Sequence, residues 1–143
     1  MSGAKARIAA VGAGWMGRGL AHVFAYAGHE VALIDVKIRS AEDVEKPTVE
    51  ARGEVEPIID SMTEFGIQTA DQASAALARI AFHGAKTATA ALKNANVVFE
   101  AAPEVLDIKR RALRMIGEVA RAKAVVSSTT STMMVDELAV YIT

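Results

Sequence analysis

Three glycines at positions 12, 14 and 17 and an aspartate at position 35 are the residues of this chain best spaced to do chemistry together. The glycines stand in Gly12-Ala13-Gly14-Trp15-Met16-Gly17, between an apolar run (Ile8 to Val11) and an amphipathic stretch. A second apolar run, Val31 to Ile34, ends on Asp35, 18 residues beyond Gly17. Gly12 permits a tight strand-to-helix turn, Gly14 lets the backbone approach a pyrophosphate, and Gly17 lets the helix pack closely on the strand. The helix N-terminus then offers its unbonded N–H groups to the phosphates. An acid about 20 residues further on is placed to bind a ribose 2′-hydroxyl. Glycines alone would suit a tight turn in any α/β protein. Strand, glycines, helix, strand and terminal acid in one unit point to dinucleotide binding. Trp15 and Met16, inside the turn, are counted with the cofactor-binding residues, although for Trp15 packing against neighbouring helices is expected ahead of stacking on the adenine or phosphates.

Polar residues recur at two later strand ends. Val97 to Ala101 reads as an apolar strand running into Ala102-Pro103-Glu104, with Lys109 five residues on. Val125 and Val126 form a fifth strand that opens into Ser127-Ser128-Thr129-Thr130-Ser131-Thr132. Simpler readings stand beside the functional one. Glu104 could begin the next helix, favoured by its dipole; Lys109 could be an exposed helical lysine. Ser131 or Thr132 could cap the last helix.

The elements that position these residues follow from periodicity. Ser40 to Gly66 holds eight acids against two bases, with Val55, Ile58, Ile59, Met62 and Phe65 at helical spacing and Gly66 as a stop. Pro47 and Pro57 are expected to break or bend its early part. Thr69-Ala70-Asp71-Gln72 is a capping box opening a second helix through Leu77, so the pair makes a helical hairpin after the second strand. Ile80 to His83 is a short strand and Thr87 to Lys93 a short helix. A long helix follows with Val105, Ile108, Ala112, Met115, Ile116 and Val119 on one face, and Val135 to Val140 begins another. Alternating strands and helices give an α/β fold with a doubly wound parallel sheet. Ligands bind such sheets outside the carboxyl ends of the strands, where all the polar segments above fall.

Composition narrows the function classes. At 143 residues the chain has the length of one domain. A net charge of −1 gives no footprint for nucleic acid. Without cysteine there is no disulfide framework and no thiolate metal site, which suits a cytoplasmic protein. No apolar run reaches the roughly 18 residues of a membrane span, and Met1 to Arg7 does not read as a signal peptide. Hydrophobic residues are 52% and aromatics 5%, so Ala, Val, Ile and Leu must build the core, as in a parallel sheet covered on both faces.

Three segments together carry a family resemblance: G-A-G-W-M-G-R-G-L-A-H-V-F-A-Y-A-G-H-E-V, V-V-F-E-A-A-P-E-V-L-D-I-K-R and S-S-T-T-S-T. The chain resembles the N-terminal, NAD-binding domain of the L-3-hydroxyacyl-CoA dehydrogenases. That superfamily also holds carnitine dehydrogenases and the L-gulonate dehydrogenase/lambda-crystallin branch. The resemblance covers nearly the whole chain and implies a Rossmann fold with the helical hairpin, NAD as cofactor and a small-molecule substrate, an acyl-CoA or a hydroxy acid. Gly12, Gly14 and Gly17 would hold the pyrophosphate and Asp35 the adenosine ribose. Ala102, Pro103 and Ser128 would line the cofactor, and Glu104 and Lys109 would contact its nicotinamide half. Ser131 would hydrogen-bond the substrate's 3-oxygen. Residues 1–143 would be a cofactor domain ending before its last strand, with a helical domain that dimerises in the family following it.

Departures from the family pattern accompany the likeness. The catalytic histidine of the family lies in a G-x-H-x-x-x-P segment, and His22, His29 and His83 do not sit in that context, so all three are expected to be structural or solvated and the chain inactive alone. Thr129 and Val105 stand where asparagine is common. The acidic hairpin suits the CoA phosphates poorly, which raises the small hydroxy-acid branch. A non-catalytic, crystallin-like NAD-binding protein is the alternative of a different class. Asp35, followed by Val36, favours NAD over NADP, with Lys37 and Arg39 close enough to soften the preference.

Overall fold

Each apolar run lies in a parallel ladder, which explains why it lacks the polar alternation of a half-exposed strand. The computed structural model describes residues 5–37 and 46–142, without the side chains of 46–49. Its strands are β1 (Arg7–Val11), β2 (Glu30–Asp35), β3 (Ile80–Gly84), β4 (Val97–Glu100) and β5 (Val125–Ser128). Among the described residues they make one five-stranded sheet in the order β3-β2-β1-β4-β5, every pair parallel. The order reverses direction between β1 and β4, which opens a crevice at the carboxyl ends there.

Helices cover both faces. α1 (Trp15–Tyr26), α2 (Lys46–Glu64) and α3 (Ala70–Ala78) close one side, over Ile8, Ala10, Leu33 and Ile80. α4 (Ala88–Asn94), α5 (Leu106–Val119) and α6 (Val135–Ala139) close the other, over Val11, Ile34 and Val98. The doubly wound architecture is as the alternation of elements implies.

The hairpin differs from expectation at its prolines. α2 runs unbroken through Pro57. Pro57 is on the solvent side, and the residue four before it is Gly53, which has open space around it. Pro47 is the second residue of the helix, where an N–H would have no intrahelical partner. Val55 and Ile59 are buried, whereas Phe65 is 77% exposed rather than part of the apolar face. Gly66, at φ +70°, ends the helix: its N–H donates to Thr63 O and that of Ile67 to Met62 O, a Schellman closure. The capping box of α3 is formed as read, with reciprocal bonds between Thr69 and Gln72. Much of the acidic approach to this hairpin (Glu42, Asp43, Glu45), like Arg39, lies outside the described residues.

No helix among the described residues is long and apolar enough to cross a membrane.

Candidate functional site

The turn after β1 explains its glycines one by one. Gly12 holds φ +119°, and a Cβ there would collide with the Ala101 carbonyl. A Cβ on Gly17 would run into the Gly12 carbonyl oxygen. At Gly14 a Cβ would meet nothing within 4 Å, so this glycine faces open space. α1 starts there with no side-chain cap and no acid in its first turn, leaving its leading N–H groups available to an anion.

Two grooves meet at this turn. One, of about 610 Å³, runs over Gly12–Gly14 to Asp35, with Pro103, Ile108 and Arg111 on its far wall. The other, of about 370 Å³, is lined by Gly14, Trp15, Met16, Glu104 and Ser131 among others. Gly14 and Pro103 border both, so the two form one trough across the sheet's carboxyl edge. Asp35 is 6% exposed, and its Oδ1 accepts the Lys37 N–H at 2.9 Å, which fixes the carboxylate at the groove's end. Trp15 is 77% exposed beside the second groove and does not pack against neighbouring helices. Met16 is exposed beside it.

The other polar segments converge in a way spacing did not indicate. Pairing sets Glu100 in register with Val11 on one side and Ser128 on the other. Glu100 is fully buried: its Oε1 accepts the Ala102 N–H at 2.7 Å, and its Oε2 accepts the Ser128 hydroxyl at 2.5 Å. Lys109, also fully buried and not the exposed helical lysine of the simpler reading, donates to both Glu100 oxygens at 3.2 and 3.0 Å and to Ala102 O at 3.2 Å. Its ammonium lies 2.9 Å from Glu104 Oε2. Breaking such a pair from one side leaves a buried charge and costs about 3–5 kcal/mol.

Glu104 does not begin a helix. It precedes Val105, the N-cap residue of α5, which is 51% exposed and so leaves the apolar face expected of it. Glu104 Oε1 accepts the Thr130 hydroxyl at 2.6 Å, the Ser131 N–H at 3.0 Å and the Thr132 hydroxyl at 3.1 Å. The Thr130 hydroxyl foremost, then the Lys109 ammonium, hold its carboxyl down to about 2, with the Ser131 N–H and Thr132 adding to this and desolvation opposing it. Ser131 and Thr132 therefore do not cap α6, whose N-cap is Met134. Ser131 is exposed and lines the second groove.

The family model described as "3-hydroxyacyl-CoA dehydrogenase, NAD binding domain" matches residues 7–143. The chain belongs to this family. Its cofactor is NAD. The chain is similar to the 3-hydroxybutyryl-CoA dehydrogenase of Bradyrhizobium diazoefficiens, at 30% identity over 93% of this chain and 42% of that one. It is 30% identical to the 3-hydroxyadipyl-CoA dehydrogenase of Escherichia coli K12 over 92% of this chain and 26% of that one. Among solved structures it matches the (S)-3-hydroxybutyryl-CoA dehydrogenase of Ralstonia eutropha with a TM-score of 0.79 and 28% identity, covering 96% of this chain and 45% of that one. The chain thus spans less than half the length of the relatives it matches.

The residues present fit the cofactor: an uncapped helix N-terminus, open space at Gly14 and a fixed carboxylate at the end of β2. Sequence reasoning missed Glu100 as a participant. Its signal was an acid closing an otherwise apolar strand. The histidines lie elsewhere: His22 bonds Gln68, His29 bonds Ala6 O, and His83 borders a different groove.

Proposed function

We propose that this chain is the NAD-binding portion of an oxidoreductase that moves hydride between the 3-hydroxyl of an L-3-hydroxyacyl-CoA, such as 3-hydroxybutyryl-CoA, and NAD. The observation that carries the reading is the position of Ser131, exposed on the groove that continues the trough from Asp35 through the glycine turn. The printed activities of the relatives support the substrate class.

In this reading the glycine turn and the first N–H groups of α1 bind the pyrophosphate, and Asp35 the adenosine ribose. Ala102, Pro103, Trp15, Met16 and Ser128 bound or support the nicotinamide half. NAD supplies the hydride acceptor. Ser131 donates its hydroxyl to the substrate's 3-oxygen, polarising it, while Glu104 holds the loop that carries it. None of the three histidines borders this trough, so a histidine base for proton removal would have to come from outside the described residues. The whole protein would be a cytoplasmic homodimer in fatty-acid metabolism.

The test is calorimetry on the chain loaded with NADH, comparing acetoacetyl-CoA with free hydroxy acids, together with turnover assays on any polypeptide that carries this domain and a histidine base. Preference for acetoacetyl-CoA supports the reading. Preference for L-gulonate or carnitine would favour the small-acid branch, to which the exposed acids Glu54, Asp60 and Glu64 of α2 lend weight. NADH binding with no turnover, in a polypeptide that holds such a base, would favour a binding protein.

A further inference from the structure

We propose that Arg111 recognises the adenine of the dinucleotide: its guanidinium closes an apolar slot beside Asp35 and stacks on one face of the base. The proposal rests on the dinucleotide reading given above and extends it from the phosphates and ribose to the base.

The slot, of about 100 Å³, opens off the trough between the end of β2 and the face of α5. Val36, Ile108 and Arg111 border both spaces, so the two are continuous. Ala85, Ala112 and Met115 complete its lining. Among the described residues no acid and no hydroxyl lines it, and Arg111 is its one polar side chain. A sugar pushed into such a recess would lose water from its hydroxyls without finding partners for them. A flat group with apolar faces would not. With Asp35 on the adenosine ribose, the base hangs from the carbon next to the one that bears the 2′-hydroxyl. It must lie within a few bonds of the carboxylate, and the apolar recess there begins at Val36, the next residue along the chain.

The contacts of Arg111 leave its planar face free. Its Nε donates to the Asp107 carbonyl oxygen at 3.3 Å, which draws the side chain back over the turn that carries Ile108. The Asp107 carboxylate, four residues before it, pairs instead with Arg110 at 3.5 Å. Arg18 and Arg52 are likewise paired, with Glu54 and Glu56, whereas the guanidinium of Arg111 meets no carboxylate among the described residues. A guanidinium is flat and weakly hydrated, and it stacks on aromatic faces where an ammonium cannot. Unpaired nucleic-acid bases are held on arginine planes in the same way. Lys37 and Glu50 border the trough but not the slot, so neither competes with Arg111 for the base. Stacking reads the face of a base and not its edge. The contribution of Arg111 should therefore survive replacement of the adenine amino group by oxygen.

The test is calorimetry on the full 143-residue chain with three ligands: NADH, reduced nicotinamide hypoxanthine dinucleotide, and reduced nicotinamide mononucleotide, which has no purine. Arg111→Ala is expected to weaken both dinucleotides by the same factor, about fivefold or more, and to leave the mononucleotide unchanged. Arg111→Lys should recover little of the loss. The loss should also be the same at about 0.05 and 0.5 M salt, because the contact is with a ring and not with a phosphate. A second readout needs no substitution: NADH added to the parent chain should shift the Arg111 side-chain protons upfield through the ring current of the base. Three results would overturn the proposal: an Arg111→Ala chain with parent affinity for NADH, equal losses for the mononucleotide, or a loss that Lys restores and salt abolishes, which marks a phosphate contact. A loss confined to NADH and absent for the hypoxanthine dinucleotide would overturn it too, since that marks a bond to the base edge. A parent chain that binds no NADH would overturn the dinucleotide reading and this proposal with it. Binding that Asp35→Ala weakens and Arg111→Ala does not would overturn this proposal alone.

Discussion

Gly17 lies directly under the carbonyl oxygen of Gly12, with no room for a methyl group between them. That contact holds the start of α1 against the end of β1, and Gly12 is itself pressed against Ala101 at the end of β4. The turn is thus clamped by two neighbours, and its third glycine is left facing the trough.

The three glycines should therefore separate in experiment. Gly17→Ala and Gly12→Ala are expected to lower stability by more than about 2 kcal/mol, since neither backbone can give way without moving a strand end. Gly14→Ala should leave thermal unfolding within a few degrees of the parent and weaken NADH binding about tenfold or more, roughly 1.4 kcal/mol. Thermal denaturation and calorimetry check this; a Gly14→Ala chain with parent affinity would remove the pyrophosphate from that turn.

Asp35 is held at the end of β2 by the Lys37 N–H. Asp35→Ala is expected to cost about tenfold in NADH affinity, and to bring NADPH and NADH closer together, because a 2′-phosphate would no longer meet a carboxylate. Competitive titration of the two dinucleotides is the measurement. Equal affinities in the parent chain would show that Asp35 does not discriminate.

The chain has one tryptophan, and it stands exposed beside the second groove. NADH binding should quench Trp15 emission saturably, by energy transfer to the reduced nicotinamide. Trp15→Phe should abolish the signal while circular dichroism stays unchanged. Binding detected by heat with unaltered tryptophan emission would separate Trp15 from the cofactor.

Glu104 gives a pH prediction with a definite sign. Its carboxyl is lowered to about 2 by Thr130 and then Lys109, so its contribution is fully present above the ordinary value of 4.5 and is lost as pH falls through about 2. From pH 5 to 8 the protection of the Ser131 and Thr132 amides should not change from this source. Glu104→Gln should expose those amides throughout that range. Hydrogen exchange at two pH values is enough to see it; loop protection that varies between pH 5 and 8 would contradict the assignment.

Much of the fold and half of the site were legible in the residues. Gly12, Gly14, Gly17 and Asp35 act within one βαβ unit, and their roles depend on local turn geometry and strand length, which spacing records directly. Gly66 and the Thr69–Gln72 box were legible for the same reason: a helix end is satisfied by residues three or four positions away. Pro57 was misjudged because a proline's effect depends on whether the helix can flex outward, and there it faces solvent with glycine four residues before it.

What only the tertiary structure decided is the pairing of β4 with β5. Glu100, Lys109 and Ser128 are separated along the chain, and nothing in their spacing says which will meet. The register that sets Glu100 beside Ser128 brings an acid, a lysine from α5 and the Ser-Thr loop to one point. Burial then makes the choice compulsory, because a charge removed from water must find its partner within a few ångströms. The sequence by itself determined the glycine turn and the acid that ends β2; the long-range sheet pairing decided that Lys109 turns inward, and that Glu104 turns toward Ser131.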